Sequence, residues 1–140
     1  MIRGVTLKKI RFITIAVLAV FLLSMPLLSG CGKTAQWADP MVENVLVSIN
    51  NEDYSSFIKD FGDDLIKEIP QDKYLEVINS IKGDFGKYIE GSKKMFSVNI
   101  NNNITTTEYN SKFENKDIVQ FKFVFEKIND QIKITGFAFE

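Results

Sequence analysis

The chain of 140 residues contains no histidine, one cysteine, one tryptophan and three prolines. Without histidine it lacks the side chain that most often serves as a neutral-pH base or a metal ligand. A single cysteine excludes an internal disulfide and a Cys/His zinc site, so a folded domain must be held by packing alone. The chain has no Walker-type loop and no dinucleotide fingerprint, and it shows neither an internal repeat nor a low-complexity linker. Asp60-Phe61-Gly62 spells a kinase motif and Asn103-Ile104-Thr105 a glycosylation sequon, but neither has the sequence surroundings its chemistry needs. No catalytic residue, cofactor or metal ligand is assigned from these absences.

What is present begins at the N-terminus. Basic residues Arg3, Lys8, Lys9 and Arg11 lead into an apolar run from Phe12 to Leu28, closed by Leu28-Ser29-Gly30-Cys31. A cationic start, a short apolar helix and small residues at the end form a secretory signal. The tetrapeptide resembles the bacterial lipobox, with Leu28, Ser29 and Gly30 as the cleavage signal and Cys31 as the lipidated residue and mature N-terminus. The competing reading, a transmembrane anchor, usually needs about 20 apolar residues, and this run is interrupted by Ser24 and Pro26. The expected location is the extracytoplasmic face of the cell membrane, with acyl chains on Cys31 as the attachment.

The whole chain carries 17 basic and 18 acidic residues; removing residues 1–30 takes away four basic and no acidic ones, leaving 13 against 18. A surface with net charge −5 is repelled by phosphate backbones and anionic headgroups, so no nucleic-acid partner is expected. Residues 31–38 read as the lipidated N-terminus and a tether. Its seven residues after Cys31 reach at most about 25 Å, which keeps the domain near the bilayer. Trp37, within that stretch, either caps the core beside the first helix or sits at the membrane interface.

Residues 39–140 read as one domain. Asp39-Pro40 opens a helix by N-cap and proline, and Val42, Val45, Leu46 and Ile49 form its apolar face. Asp53 caps a second piece with Tyr54, Phe57, Ile58 and Phe61, and Asp63 a third with Leu65, Ile66 and Ile69, stopped by Pro70. A fourth helix is expected from Gln71 to Lys82 with Tyr74, Leu75, Ile78 and Ile81 buried. Gly83, Gly86 and Gly91 mark the change to strands, with Asp84 in a turn between them.

Strands are expected over Tyr88–Asn99, Ile104–Phe113, Ile118–Glu126 and Gln131–Phe139. The third sends Val119, Phe121, Phe123 and Phe125 to one face. In the fourth, Ile132 and Ile134 have opposite parity to Phe137 and Phe139, which a bulge near Gly136 reconciles. The second, with Thr105, Thr106, Thr107, Glu108 and Asn110, is polar on both faces and expected to be partly solvated. The fold class is α+β, helices packed on a curved four-stranded antiparallel sheet.

This order resembles the nuclear-transport-factor-2-like cone, and more narrowly a family of unknown function found in short bacterial and archaeal lipoproteins. The residues that carry the resemblance are Asn51-Glu52-Asp53-Tyr54, Ile69-Pro70, Gly83-Asp84-Phe85-Gly86-Lys87 and Lys133-Ile134-Thr135-Gly136-Phe137. Members of that superfamily include isomerase-like and dehydratase-like enzymes with polar groups at the bottom of an apolar cavity, and noncatalytic binding modules. The expected function is a noncatalytic, membrane-anchored module that binds a small apolar ligand, a peptide or another envelope protein, with Phe57, Tyr74, Tyr88, Phe121 and Phe123 as candidate pocket lining. The alternative is a small-molecule isomerase or dehydratase using tyrosine with aspartate or glutamate. Tyr54, Tyr74, Tyr88 and Tyr109 are the phenols available, expected to bury their rings and leave their hydroxyls at the surface. Glu108 is the least poor candidate base, and the cluster Asp60, Asp63 and Asp64 is read as helix capping and a solvated face. The oligomeric state is open.

Overall fold

The computed structural model describes residues 35–140. The expected signal peptide, its expected cleavage residues Leu28, Ser29 and Gly30, and the expected lipidation site Cys31 lie outside the described residues. Four helices come first: α1 (Ala38–Asn51), α2 (Tyr54–Ile58), α3 (Asp63–Glu68) and α4 (Gln71–Phe85). A four-stranded antiparallel sheet follows, β1 (Lys94–Asn101), β2 (Ile104–Phe113), β3 (Lys116–Ile128) and β4 (Gln131–Phe139), in the order β1-β2-β3-β4. The sheet is curved and open, so the α+β class expected from the sequence is the class observed. Among the described residues no helix is long and apolar enough to cross a membrane.

The helices form where the apolar spacing places them, with shifted ends. In α1, Val42, Val45, Leu46 and Ile49 are buried as expected, and Ala38 joins them. The helix starts before Asp39: Trp37 is its N-cap and Asp39 lies in its first turn, where a carboxylate favours the exposed N–H groups. Pro40 is tolerated there because N–H groups of the first turn have no intrahelical acceptor. Trp37 lays its ring edge-on against buried Phe125 with centroids 5.0 Å apart, so the indole covers the core beside α1. Ala35 is already fully buried in the core, four residues before the domain start expected at residue 39.

Asp53 caps α2 as expected, accepting from the Ser56 backbone N–H at 3.1 Å and the Ser56 hydroxyl at 2.6 Å. The residue before α3 is Gly62, so Asp63 occupies the first helical position rather than the cap. Helix α4 runs three residues beyond Lys82 and carries Gly83 and Asp84 inside its last turns, correcting the turn expected there. The break falls at Gly86, with φ 78°; a Cβ at this position would stand 2.9 Å from Cβ of Glu114. Leu75, expected in the core, is 51% exposed. Val77, one turn before Ile81, is half-buried instead.

In the sheet, β1 begins at Lys94. The stretch from Tyr88 to Lys93 is a connection holding one bridge, Tyr88 to Phe113, and a turn at Gly91 with φ 73°. On the inner face Thr105, Thr107 and Tyr109 of β2 stand opposite Phe125, Phe123 and Phe121 of β3. The first two are buried, as are Tyr109 and Ser111, so the inner row of β2 is not solvated despite its polar composition. The last two strands meet at Asn129 and Asp130, both with positive φ, the requirement of a two-residue type I′ turn. The bulge appears where parity demands it. Phe125 pairs with Ile134 and Val124 with Gly136, leaving Thr135 as the extra residue, and Phe137 and Phe139 return to the inner face opposite Phe123 and Phe121.

Aromatic rings fill the space between the layers. Phe57 contacts Tyr74 and Phe61 at 4.8 Å each and Phe137 at 5.9 Å, joining α2 and α4 to β4. Tyr109 stacks on Phe121 at 5.4 Å, and Phe123 on Phe137 at 5.7 Å. Each fully buried phenylalanine contributes about 2–3 kcal/mol by apolar burial. The α2–α3 connection is pinned to β4 by two backbone bonds, Gly62 N–H to Ile134 O at 2.9 Å and Ile134 N–H to Asp60 O at 2.8 Å. Those bonds cover only the first half of the outer edge of β4.

Candidate functional site

The five aromatic residues expected to line a pocket are all buried in the core. Phe57 and Tyr74 meet each other, Phe121 and Phe123 pack along β3, and Tyr88 lies apart against Phe113 at 5.5 Å. They do not converge on one space, and none lines either of the two large clefts described below. The Tyr54 and Tyr74 hydroxyls, expected free at the surface, are engaged by backbone carbonyls. Tyr54 donates to Ile69 O at 3.1 Å and Tyr74 to Ser48 O at 3.0 Å. Burial pushes the Tyr74 phenol up to about 12, helped by the negative charges of Asp53 and Glu52.

A carboxylate–phenol pair does exist, although no local spacing announces it. The Tyr88 hydroxyl donates to Oε2 of Glu43 at 3.0 Å, across 45 positions of sequence. The same carboxylate accepts from Gly91 N–H at 3.0 Å and pairs with the Lys93 ammonium at 3.0 Å. Burial pulls Glu43 upward, yet the Gly91 N–H, the Lys93 ammonium and the Tyr88 hydroxyl together hold it below the ordinary carboxylate value. Burial and the Glu43 charge push Tyr88 up to about 12. A carboxylate with three donors already engaged is a poor base, and a phenol so weakened is a poor acid. The cluster ties the Tyr88–Lys93 connection to α1. Asn50 adds to it by bonding both the N–H and the carbonyl of Tyr88, at 2.9 and 2.8 Å.

The inner row of β2 holds a second polar group. The Thr107, Tyr109 and Ser111 hydroxyls are buried and, among the described residues, meet no partner in hydrogen-bond geometry. Burial pushes the Tyr109 phenol up, a polar approach from Thr107 acts in the opposite direction, and the nearby Asp39 carboxylate raises it further. Glu108 is on the other face, opposite Ser97 and Lys122, as its threonine neighbours suggested. Among the described residues no three acidic side chains converge as metal ligands; Asp64 instead pairs with Lys67 at 3.2 Å.

Two clefts of similar size remain. One, of 490 Å³, lies between α3 and the β3–β4 hairpin and mixes Asp63, Asp64 and Glu126 with Lys67 and Lys133. Its polar, oppositely charged walls favour water over any apolar ligand. The other, of 480 Å³, is an open groove between α4 and the end of β4. Val77, Ile81 and Phe85 form its helical wall, Phe137 and Phe139 its sheet wall, and Glu76, Ser80 and Asp84 its rim. Both sets on α4 recur at every fourth residue, so they are adjacent stripes of one helix. The Phe85 ring is fixed by Phe113 at 5.8 Å and by the Lys116 ammonium 5.2 Å from its centroid. Glu76 and Asp84 are exposed, and no basic side chain lines the groove.

This groove is the one feature among the described residues that combines apolar walls, access from solvent and a charge of one sign. Comparison with known families finds no family model that matches the chain, and comparison with curated proteins finds none that matches it.

Proposed function

We propose that the protein is a lipid-anchored, extracytoplasmic binding module of nuclear-transport-factor-2-like form that holds an apolar ligand or protein segment in the groove between α4 and β4. The observation that carries the reading is the groove itself, in which Val77, Phe85, Phe137 and Phe139 are only half-buried, over buried Ile81, beside a core that is otherwise closed with aromatic rings. Apolar surface exposed in a concave site marks a place of binding. The lipobox-like Leu28-Ser29-Gly30-Cys31 supports attachment through Cys31. With Ala35 buried in the domain, only residues 32–34 separate it from the acylated cysteine, a span of at most about 11 Å. The binding surface therefore works next to the bilayer. The enzymatic alternative is weakened by Glu43, whose carboxylate is occupied by structural donors.

Two measurements test this. Replacing Cys31 with serine is expected to move the protein from the membrane to the soluble fraction; continued processing and membrane retention without acyl chains would refute the anchor. Ser80→Trp adds bulk to the groove from an exposed position. Proteins and small molecules that co-purify with the intact lipidated protein, identified by mass spectrometry, are expected to be lost from this variant. Their undiminished recovery would remove the groove as the binding site.

A further inference from the structure

The groove has one wall that is unusual for an apolar cleft, because it is the free edge of a sheet. β4 is the last strand in the order, and its outer edge is bonded by Asp60 and Gly62 only at Ile134. Beyond the bulge, Glu140 N–H bonds to Gln120 O, so the even-numbered residues of this segment turn their backbone groups toward β3. By the alternation of an antiparallel ladder, the N–H and C=O of Phe137 and Phe139 point outward. Among the described residues no other backbone group pairs with them. The side chains of these same two residues line the groove.

We propose that an extended polypeptide segment, apolar on one side and flanked by lysine or arginine, adds as a fifth strand along Phe137–Phe139 and places its apolar side chains in the groove. The proposal rests on the groove being the binding site and names what occupies it. Residues directly opposite in an antiparallel pair share a face, so partner residues that bond Phe137 and Phe139 send their side chains to the side on which those rings lie. The groove follows α4 from Glu76 to Phe85, nine steps of about 1.5 Å, which is the length of about four extended residues. Its rim supplies the charge preference, since Glu76 and Asp84 face any occupant with no lysine beside them in the lining. A second copy of this chain would bring the same acidic rim and be repelled. A lipid chain would fill the groove but leave the N–H and C=O groups of Phe137 and Phe139 unpaired, whereas a strand satisfies both.

The test uses the full-length chain in phosphatidylcholine nanodiscs and the blocked peptide Lys-Thr-Val-Thr-Val-Thr-Lys. Two further versions carry N-methyl groups, one on the valine amides and one on the inner threonine amides. Binding is expected to slow amide exchange in the segment ending at Phe139 by the equivalent of two amides, those of Phe137 and Phe139. Methylating the valine amides, which face β4, is expected to weaken binding at least about ten-fold, and methylating the threonine amides by less than about three-fold. Glu76→Lys combined with Asp84→Lys is expected to weaken the parent peptide by about five-fold or more. Equal binding of both methylated peptides would overturn strand addition while leaving the groove as a binding site. Absence of parent-peptide binding at about 1 mM overturns the proposal too, and the Ser80→Trp capture then reports separately whether the groove reading survives.

Discussion

Helices α1 and α4 pack on the same sheet and treat their polar side chains in opposite ways. On α1 the partly buried polar groups are tied down: Glu43 to Tyr88, Gly91 and Lys93, Asn44 to Ser56 O at 2.7 Å, and Asn50 to both backbone groups of Tyr88. On α4 the rim residues Glu76, Ser80 and Asp84 are exposed, and no hydrogen bond or ion pair to another described residue engages them. The apolar stripes differ in the same sense. Val42, Val45, Leu46 and Ile49 of α1 are buried, while Val77 of α4 is half-buried and turned to the groove. One helix thus commits Glu43, Asn44 and Asn50 to stability, as the other does Tyr74 and Lys82 away from the groove. The other keeps a face free, and a protein that gains nothing in stability from a face can use it for binding.

The sharpest way to break this contrast is to truncate one apolar side chain on each helix. Leu46 is fully buried, so Leu46→Ala should cost about 3 kcal/mol, the sum of lost transfer energy and a cavity that neighbouring rings fill only partly. Val77→Ala should cost less than about 1 kcal/mol, because its side chain already borders solvent. Urea unfolding of both variants measures the difference. Equal losses would mean that the groove belongs to the core, and the distinction between the helices would fall.

A smaller effect is expected at Glu43. Removing it with Glu43→Ala takes the partner from Tyr88, Gly91 and Lys93 together and should cost about 2 kcal/mol, in the range for charged hydrogen bonds. The pH dependence has a definite sign. Glu43 in the folded protein titrates below its ordinary value, so its contribution is complete above that value and is lost as pH falls through the lowered folded one. The stability gap between wild type and variant should therefore be full at pH 7 and close below about pH 4. A gap that stays constant into acid would show that packing of the glutamate stem, and not its charge, holds the connection.

Much of this arrangement could be read from residue order, and the exceptions have physical causes. The bulge in β4 was legible because Phe137 and Phe139 have the wrong parity for Ile134, and only one inserted residue puts three large apolar groups on one face. The Asp53 cap and the stripe of α1 were legible because both are local. Four features were not. The inner row of β2 alternates correctly, but its members are Thr105, Thr107, Tyr109 and Ser111, so no apolar signal marks it as buried. Gly83 reads as a breaker, yet the contacts of the flanking Ile81 and Phe85 carry the helix through it. The Glu43 cluster and the groove join residues from distant parts of the chain, where no spacing rule applies. The groove left one trace: Val77, Ile81 and Phe85 form a second stripe beside Tyr74 and Ile78, wider than a helix with one buried face requires.

The smallest expected effect is also the one that reverses sign. At α1 a buried polar group has its partners and its removal is costly, whereas the Tyr109 hydroxyl is buried beside those of Thr107 and Ser111 with none in hydrogen-bond geometry among the described residues. A hydroxyl taken out of water without a new bond opposes folding. Tyr109→Phe removes it and keeps the ring stacked on Phe121, leaving a void of only one oxygen. The variant should be more stable than wild type by up to about 1 kcal/mol, and Thr107→Val should act in the same direction. Unfolding midpoints in urea measure both. A loss of about 1 kcal/mol in their place would mean that the hydroxyl has a hydrogen-bond partner in solution, by the asymmetry that makes an unmade bond costlier than an absent one. The β2 row would then join the groove as a surface kept for binding, and the division between a bolted side and a free side would have to be redrawn along the sheet instead of between the helices.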